Sequence, residues 1–144
     1  MKREAGFTVI EILVTAVILL TASGLFLYQK NQIQAGFRDE KRKTDINTLY
    51  HNLEKVYYAK NSYYPQELTE KSLPAVQPDT FKDPNGIMIN ESKPSGVPGV
   101  ASAQSDYRYT PKECNLETGQ CKQYELRTVL ENEQTYVKTS QKTK

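Results

Sequence analysis

The chain separates by polarity into a long apolar stretch and a polar remainder. From Phe7 to Tyr28 run 22 residues with a single formal charge, Glu11. As a helix they would extend about 33 Å, enough to cross the roughly 30 Å hydrocarbon core of a bilayer. All seven prolines lie beyond residue 64. Nothing from Phe7 to Lys60 therefore forces a break, and the pattern predicts one long helix of about 80 Å. Gly24 and Gly36 are its weak points, each costing roughly 1 kcal/mol relative to Ala. After Lys30 the pattern turns amphipathic. Ile46, Leu49, Leu53, Val56 and Tyr57 recur at helical spacing and predict a stripe pressed onto a folded head. The run Arg38, Asp39, Glu40, Lys41, Arg42 and Lys43 reads as a hydrated collar.

Beyond Pro65 the chain becomes loop-rich. A short helix is expected at Gln66 to Lys71, a turn at Asp83-Pro84-Asn85-Gly86, and an exposed loop from Ser92 to Ser105, which is rich in Ser, Gly, Pro and Ala. Three strand-like pieces follow: Asp106 to Thr110, Lys122 to Leu130 and Thr135 to Thr139. An antiparallel meander covering the helix stripe is the economical arrangement. The fold class is thus α+β, a long N-terminal helix on a small antiparallel head.

Composition sharpens this division. Averaged over 144 residues, the net charge of +2 and mean hydropathy of −0.67 describe one small soluble domain, and the average conceals two solvents. About 115 residues beyond the apolar stretch leave room for one modest core, which argues against a multidomain enzyme. Near-neutral charge argues against a dedicated nucleic-acid domain, so DNA is not indicated as a partner. His51 is the only histidine, and it has no nucleophile or paired carboxylate at motif spacing. No phosphate loop or metal-ligand cluster appears, so no catalysis, cofactor or metal is expected. Ten tyrosines, nine of them after residue 45, suit a small head that is half core and half interface better than a stacking platform for sugars or bases.

Cys114 and Cys121 complete the inventory. A hairpin centred between Glu117 and Thr118 sets them opposite one another, within bridging reach. Outside the cytoplasm such a pair reads as a disulfide worth roughly 2–3 kcal/mol. Free thiols or a metal half-site are the alternatives, the latter disfavoured because no histidine is near.

The apolar stretch itself admits two readings. Lys2 and Arg3, the core Ile12 to Leu20 and the small residues Ala22-Ser23-Gly24 also fit an ordinary secretory signal. Glu11 separates the readings, because a carboxylate in such a run costs on the order of 2.5–3.5 kcal/mol near a helix centre and does nothing for a targeting signal. Charge counting alone favours the topology opposite to an inside N-terminus, by a rule that weakens when a long domain follows the span. Lys2 and Arg3 precede it, while Lys30, Arg38, Lys41, Arg42 and Lys43 follow it.

The order Lys2-Arg3-Glu4-Ala5-Gly6-Phe7-Thr8-Val9-Ile10-Glu11 resembles the class III signal of type IV pilins and pseudopilins. Arg38 through Pro65 is similar to the second half of the pilin helix and its exit, extending the resemblance to about 65 residues. The family's usual mid-helix proline is missing. The resemblance implies cleavage by a prepilin peptidase between Gly6 and Phe7, N-methylation of Phe7, and pairing of Glu11 with the terminal amine of a neighbouring subunit during assembly. It implies a leader over 1–6, a membrane and filament-core helix half over 7–28, an amphipathic half over 29–64, a head over 65–139 and a polar tail over 140–144. Implied partners are other copies or related pilins in a helical filament, the peptidase, a pilus assembly platform, and membrane lipid before assembly. The subunit would sit in the cytoplasmic membrane with its N-terminus inside, and later in a surface filament serving adhesion, motility, DNA uptake or secretion. Asp83-Pro84 also resembles major pseudopilins, whose heads can bind calcium near this place, but two residues assign no ligands. The rival from another class is a secreted or membrane-tethered binding module.

Overall fold

The computed structural model describes residues 8–98 and 100–141. Gly6 and Phe7, which carry the cleavage and methylation expectations, lie outside the described residues. Helix α1 spans Val9–Asn52, passes through a wide π turn at Leu53–Tyr57 and ends as α2, Tyr58–Asn61. The predicted long helix is present. It stops at Ser62, whose φ of +63° is left-handed and whose N–H closes on the Tyr58 carbonyl at 2.8 Å. α1 runs through Gly24 and Gly36 without a break, and a Cβ at either would meet nothing within 4 Å. The chain forms two compact units, Met1–Gly36 and Phe37–Lys144, divided within α1.

In the second unit a small antiparallel sheet packs on the helix. Strand β1 is Tyr64–Pro65, β4 is Tyr107–Cys114, β5 is Gln120–Thr128 and β6 is Tyr136–Thr139. β5 is central, with β4 on one side and both β1 and β6 on the other. The expected meander is thus β4, β5 and β6, extended by a β1 that sequence pattern missed because two residues carry no periodicity. Register follows the predicted hairpin centre. Tyr107 faces Thr128, Tyr109 faces Leu126 and Cys114 faces Cys121. The turn is built by Asn115, whose side chain accepts the Glu117 N–H at 2.9 Å, and by Gly119, whose φ of +66° requires a residue without strain in the left-handed region.

Alternate residues of these strands face the helix stripe. Ile46, Leu49, Leu53, Tyr64, Phe81, Tyr107, Tyr124 and Leu126 are all buried in one cluster. The tyrosine rings are core: Tyr64 meets Tyr124 edge-on at 4.7 Å and Tyr109 lies 5.6 Å from Tyr124. The far edge of β4 is closed by Asn90, which donates from its side chain to the Tyr109 carbonyl and accepts the Tyr109 N–H, and by Pro111, which has no N–H to leave unpaired.

Three expectations need correction. Val56 is 52% exposed: a π turn advances each residue by less angle than an α turn, which rotates Val56 off the stripe. Gln66 to Lys71 is not helical; Thr69 and Ser72 bond each other's backbone groups through their side chains, offering the chain a turn in place of a helix. The segment expected as an exposed loop from Ser92 to Ser105 contains a two-stranded ribbon, β2 (Ser92–Lys93) paired with β3 (Ala103–Gln104), and ends in Ser105, which is buried and donates to the Ile87 carbonyl.

Candidate functional site

Every residue from Thr8 to Gln34 is exposed in the chain taken alone, although this run includes Ile12, Leu13, Val17, Ile18, Leu19 and Leu20. The helix is long and apolar enough to cross a membrane, and none of its most apolar window is buried by the rest of the chain. Its threonine and serine hydroxyls are spent internally. Thr15 Oγ1 donates to the Glu11 carbonyl at 2.9 Å, Thr21 Oγ1 to Ile18 at 2.9 Å and Ser23 Oγ to Leu19 at 2.7 Å. A side chain that returns its hydrogen bond to the preceding turn needs nothing from its surroundings, as a hydrocarbon environment demands.

Glu11 is held differently. Its Oε2 accepts the backbone N–H of Thr8 at 3.0 Å and the Thr8 hydroxyl at 3.2 Å, while Thr8 Oγ1 accepts the Glu11 N–H at 3.4 Å. Thr8-x-x-Glu11 is therefore a reciprocal capping box, which satisfies free N–H groups of the first turn and places a carboxylate at the positive end of the helix dipole. The sequence pattern contained this signal, since Thr followed three residues later by Glu ahead of an apolar run is the capping signature.

A second concentration of charge lies within the Phe37–Lys144 unit, where the collar was expected to be wholly hydrated. Asp39 and Arg42 are each only 3% exposed. Arg42 donates through Nη1 to Asp39 Oδ1 (2.9 Å) and Glu131 Oε1 (2.8 Å), and through Nη2 to Asp106 Oδ2 (2.9 Å). Asp39 in turn accepts the backbone N–H groups of Glu131 and Asn132, both at 2.9 Å. Helix and the loop after β5 are thus clamped together. Burial pushes the Asp39 carboxyl upward, but the two backbone donors and Arg42 outweigh it and hold it below the usual carboxylate range. The hydrogen bonds from Arg38 and Arg42 hold Glu131 down at about 2. The missed signal is spacing: Asp39, Arg42, Ile46, Leu49 and Leu53 follow one another at three and four residues, so both charges lie on the buried stripe.

Further along the helix, buried Glu54 accepts the phenols of Tyr64 (3.0 Å) and Tyr124 (2.9 Å) and the Gln141 N–H (3.2 Å). Burial, then Glu54, pushes the Tyr124 phenol far above its ordinary range, so it remains a donor. Asp83 is likewise committed: Oδ1 accepts the N–H groups of Asn85 and Ile87, and Oδ2 that of Asp106, all at 2.9 Å. Among the described residues no group of three or more His, Cys, Asp or Glu could hold a metal ion. Cys114 and Cys121 are joined by a disulfide, closing the hairpin as the register requires.

No family model, no curated protein and no solved structure matches this chain.

Proposed function

We propose that the chain is the structural subunit of a type IV pilus-like filament, anchored in the cytoplasmic membrane by its N-terminal helix and later packed through that helix in the filament. The observation that carries the proposal is a single carboxylate on a helix that is exposed from Thr8 to Gln34 and otherwise apolar as far as Tyr28, just after Gly6-Phe7. Large apolar surface of this kind calls for lipid or for other helices, and a subunit that exchanges one for the other uses both. Cleavage at Gly6–Phe7 removes two basic residues and creates an α-amino group, mostly cationic at neutral pH, near Glu11 of the next copy. Two opposite charges in an apolar medium relieve one another's desolvation.

The capping box supplies the rival role, in which Glu11 serves only its own helix end and the segment merely anchors a binding module. Glu11→Gln separates the two roles, because Gln can still complete a capping box but carries no charge. Loss of filaments by electron microscopy in Glu11→Gln, with processing intact, is the expected result. Normal filaments in Glu11→Gln, or a mature chain that begins near Ser23 instead of at a methylated Phe7, would remove the proposal.

A further inference from the structure

The solvent face of the sheet carries an arrangement the fold does not explain. Arg108 on β4 and Arg127 on β5 are direct cross-strand partners, and like charges set opposite one another destabilise a strand pair. Neither has a carboxylate within ion-pair distance among the described residues: Glu125 is paired with Lys112 at 2.8 Å and reaches Arg127 only as a longer-range charge, and Arg108 donates instead to the Gln104 side chain. Beside Arg127 in the same row lies Val137, 45% exposed. The opposite end of the same hairpin carries the complement. At its tip Leu116 is 89% exposed and Glu117 is exposed with no ion-pair partner among the described residues. The tip is stiffened by the Cys114–Cys121 disulfide and the Asn115 turn.

We infer that the hairpin tip of one copy docks on the sheet face of the next, with Glu117 between Arg108 and Arg127 and Leu116 against Val137, forming a head-to-tail contact between copies of this chain. One copy cannot make the contact with itself. Arg108 and Cys114 are six strand positions apart, about 20 Å at the rise of a strand, and the tip lies beyond the cysteines. Repeated from each copy to the next, a patch and its complement at opposite ends of one rigid element make a heterologous contact, which propagates into rings or open chains. The two guanidiniums offer planar forks that a single carboxylate can bridge. The inference adds a contact between heads to the filament reading and rests on that reading for its biological setting.

Charge exchange tests it on the full-length protein in detergent with its disulfide intact. In sedimentation velocity, Glu117→Arg and the pair Arg108→Glu/Arg127→Glu should each weaken self-association about tenfold or more. Mixing the two variants, or combining all three changes in one chain, should restore it, which a folding defect would not allow. Unchanged association of either variant, or no restoration on mixing, overturns the contact. So does an arginine pair whose loss abolishes binding of inorganic polyphosphate while leaving self-association intact. Filaments of chains beginning at Phe7 that ignore the exchanges would leave the filament reading standing without this contact. Exchange-dependent association in a chain cut elsewhere would do the reverse.

Discussion

Glu11 and Asp39 are carboxylates on one continuous helix, and their surroundings differ in almost every respect. Glu11 is exposed on an apolar surface and is satisfied by its own first turn. Asp39 is buried and is satisfied by a loop more than ninety residues away, with Arg42 beside it. The first arrangement is local and survives a change of environment, as the proposed exchange of lipid for protein neighbours requires. The second exists only when the head is folded, and it makes the folded head rigid on its helix. A charge on this helix thus belongs to its own first turn or to the folded head, according to whether its partners come from the same turn or from distant chain.

Perturbing the two regions separately tests that contrast. The largest effect is expected for Arg42→Met, which strands Asp39 and part of Asp106 and Glu131 without their cation; losing one partner of a buried pair costs about 3–5 kcal/mol, read as a lower urea midpoint for the head. A head that melts unchanged would mean the clamp contributes nothing. Replacing both cysteines by serine should cost about 2–3 kcal/mol through the loop-closure entropy of the unfolded chain, with reductant giving the same loss in the native protein. Tyr124→Phe leaves Glu54 with one fewer phenol and should cost about 1–2 kcal/mol.

Acid acts on the clamp in a defined direction. Glu131 ionises at about 2 in the folded chain against an ordinary value of 4.5, so the unfolded chain takes up a proton first as pH falls. Its contribution is complete above about 4.5 and is lost as pH drops toward about 2. Asp39, also lowered, acts with the same sign, and Glu131→Gln should flatten the pH dependence of melting across that window. The smallest effect belongs to the other region. Thr8→Ala should fray the start of α1, costing about 1 kcal/mol of local helix stability, with no change in head melting. A shift in the head's midpoint would break the contrast.

Much of this was legible in sequence. Polarity segregation located the long helix, absence of proline set its reach, period-two alternation located β5 and the first half of β4, a strand-like piece located β6, and the symmetric placement of Cys114 and Cys121 set their register. Each is a local or periodic signal, determined by residues near one another in the chain. What required tertiary structure were the partners of polar groups. The Arg38 to Lys43 run has the composition of a solvated face, and only the return of Asp106, Glu131 and Asn132 to the helix turned two of its members into core. Val56 left the stripe because a π turn rotated it, and Tyr64–Pro65 became a strand because β5 was there to pair with it. Apolar periodicity reports which face is buried, whereas the worth of a buried charge is set by donors and acceptors that only the folded chain brings within hydrogen-bond distance.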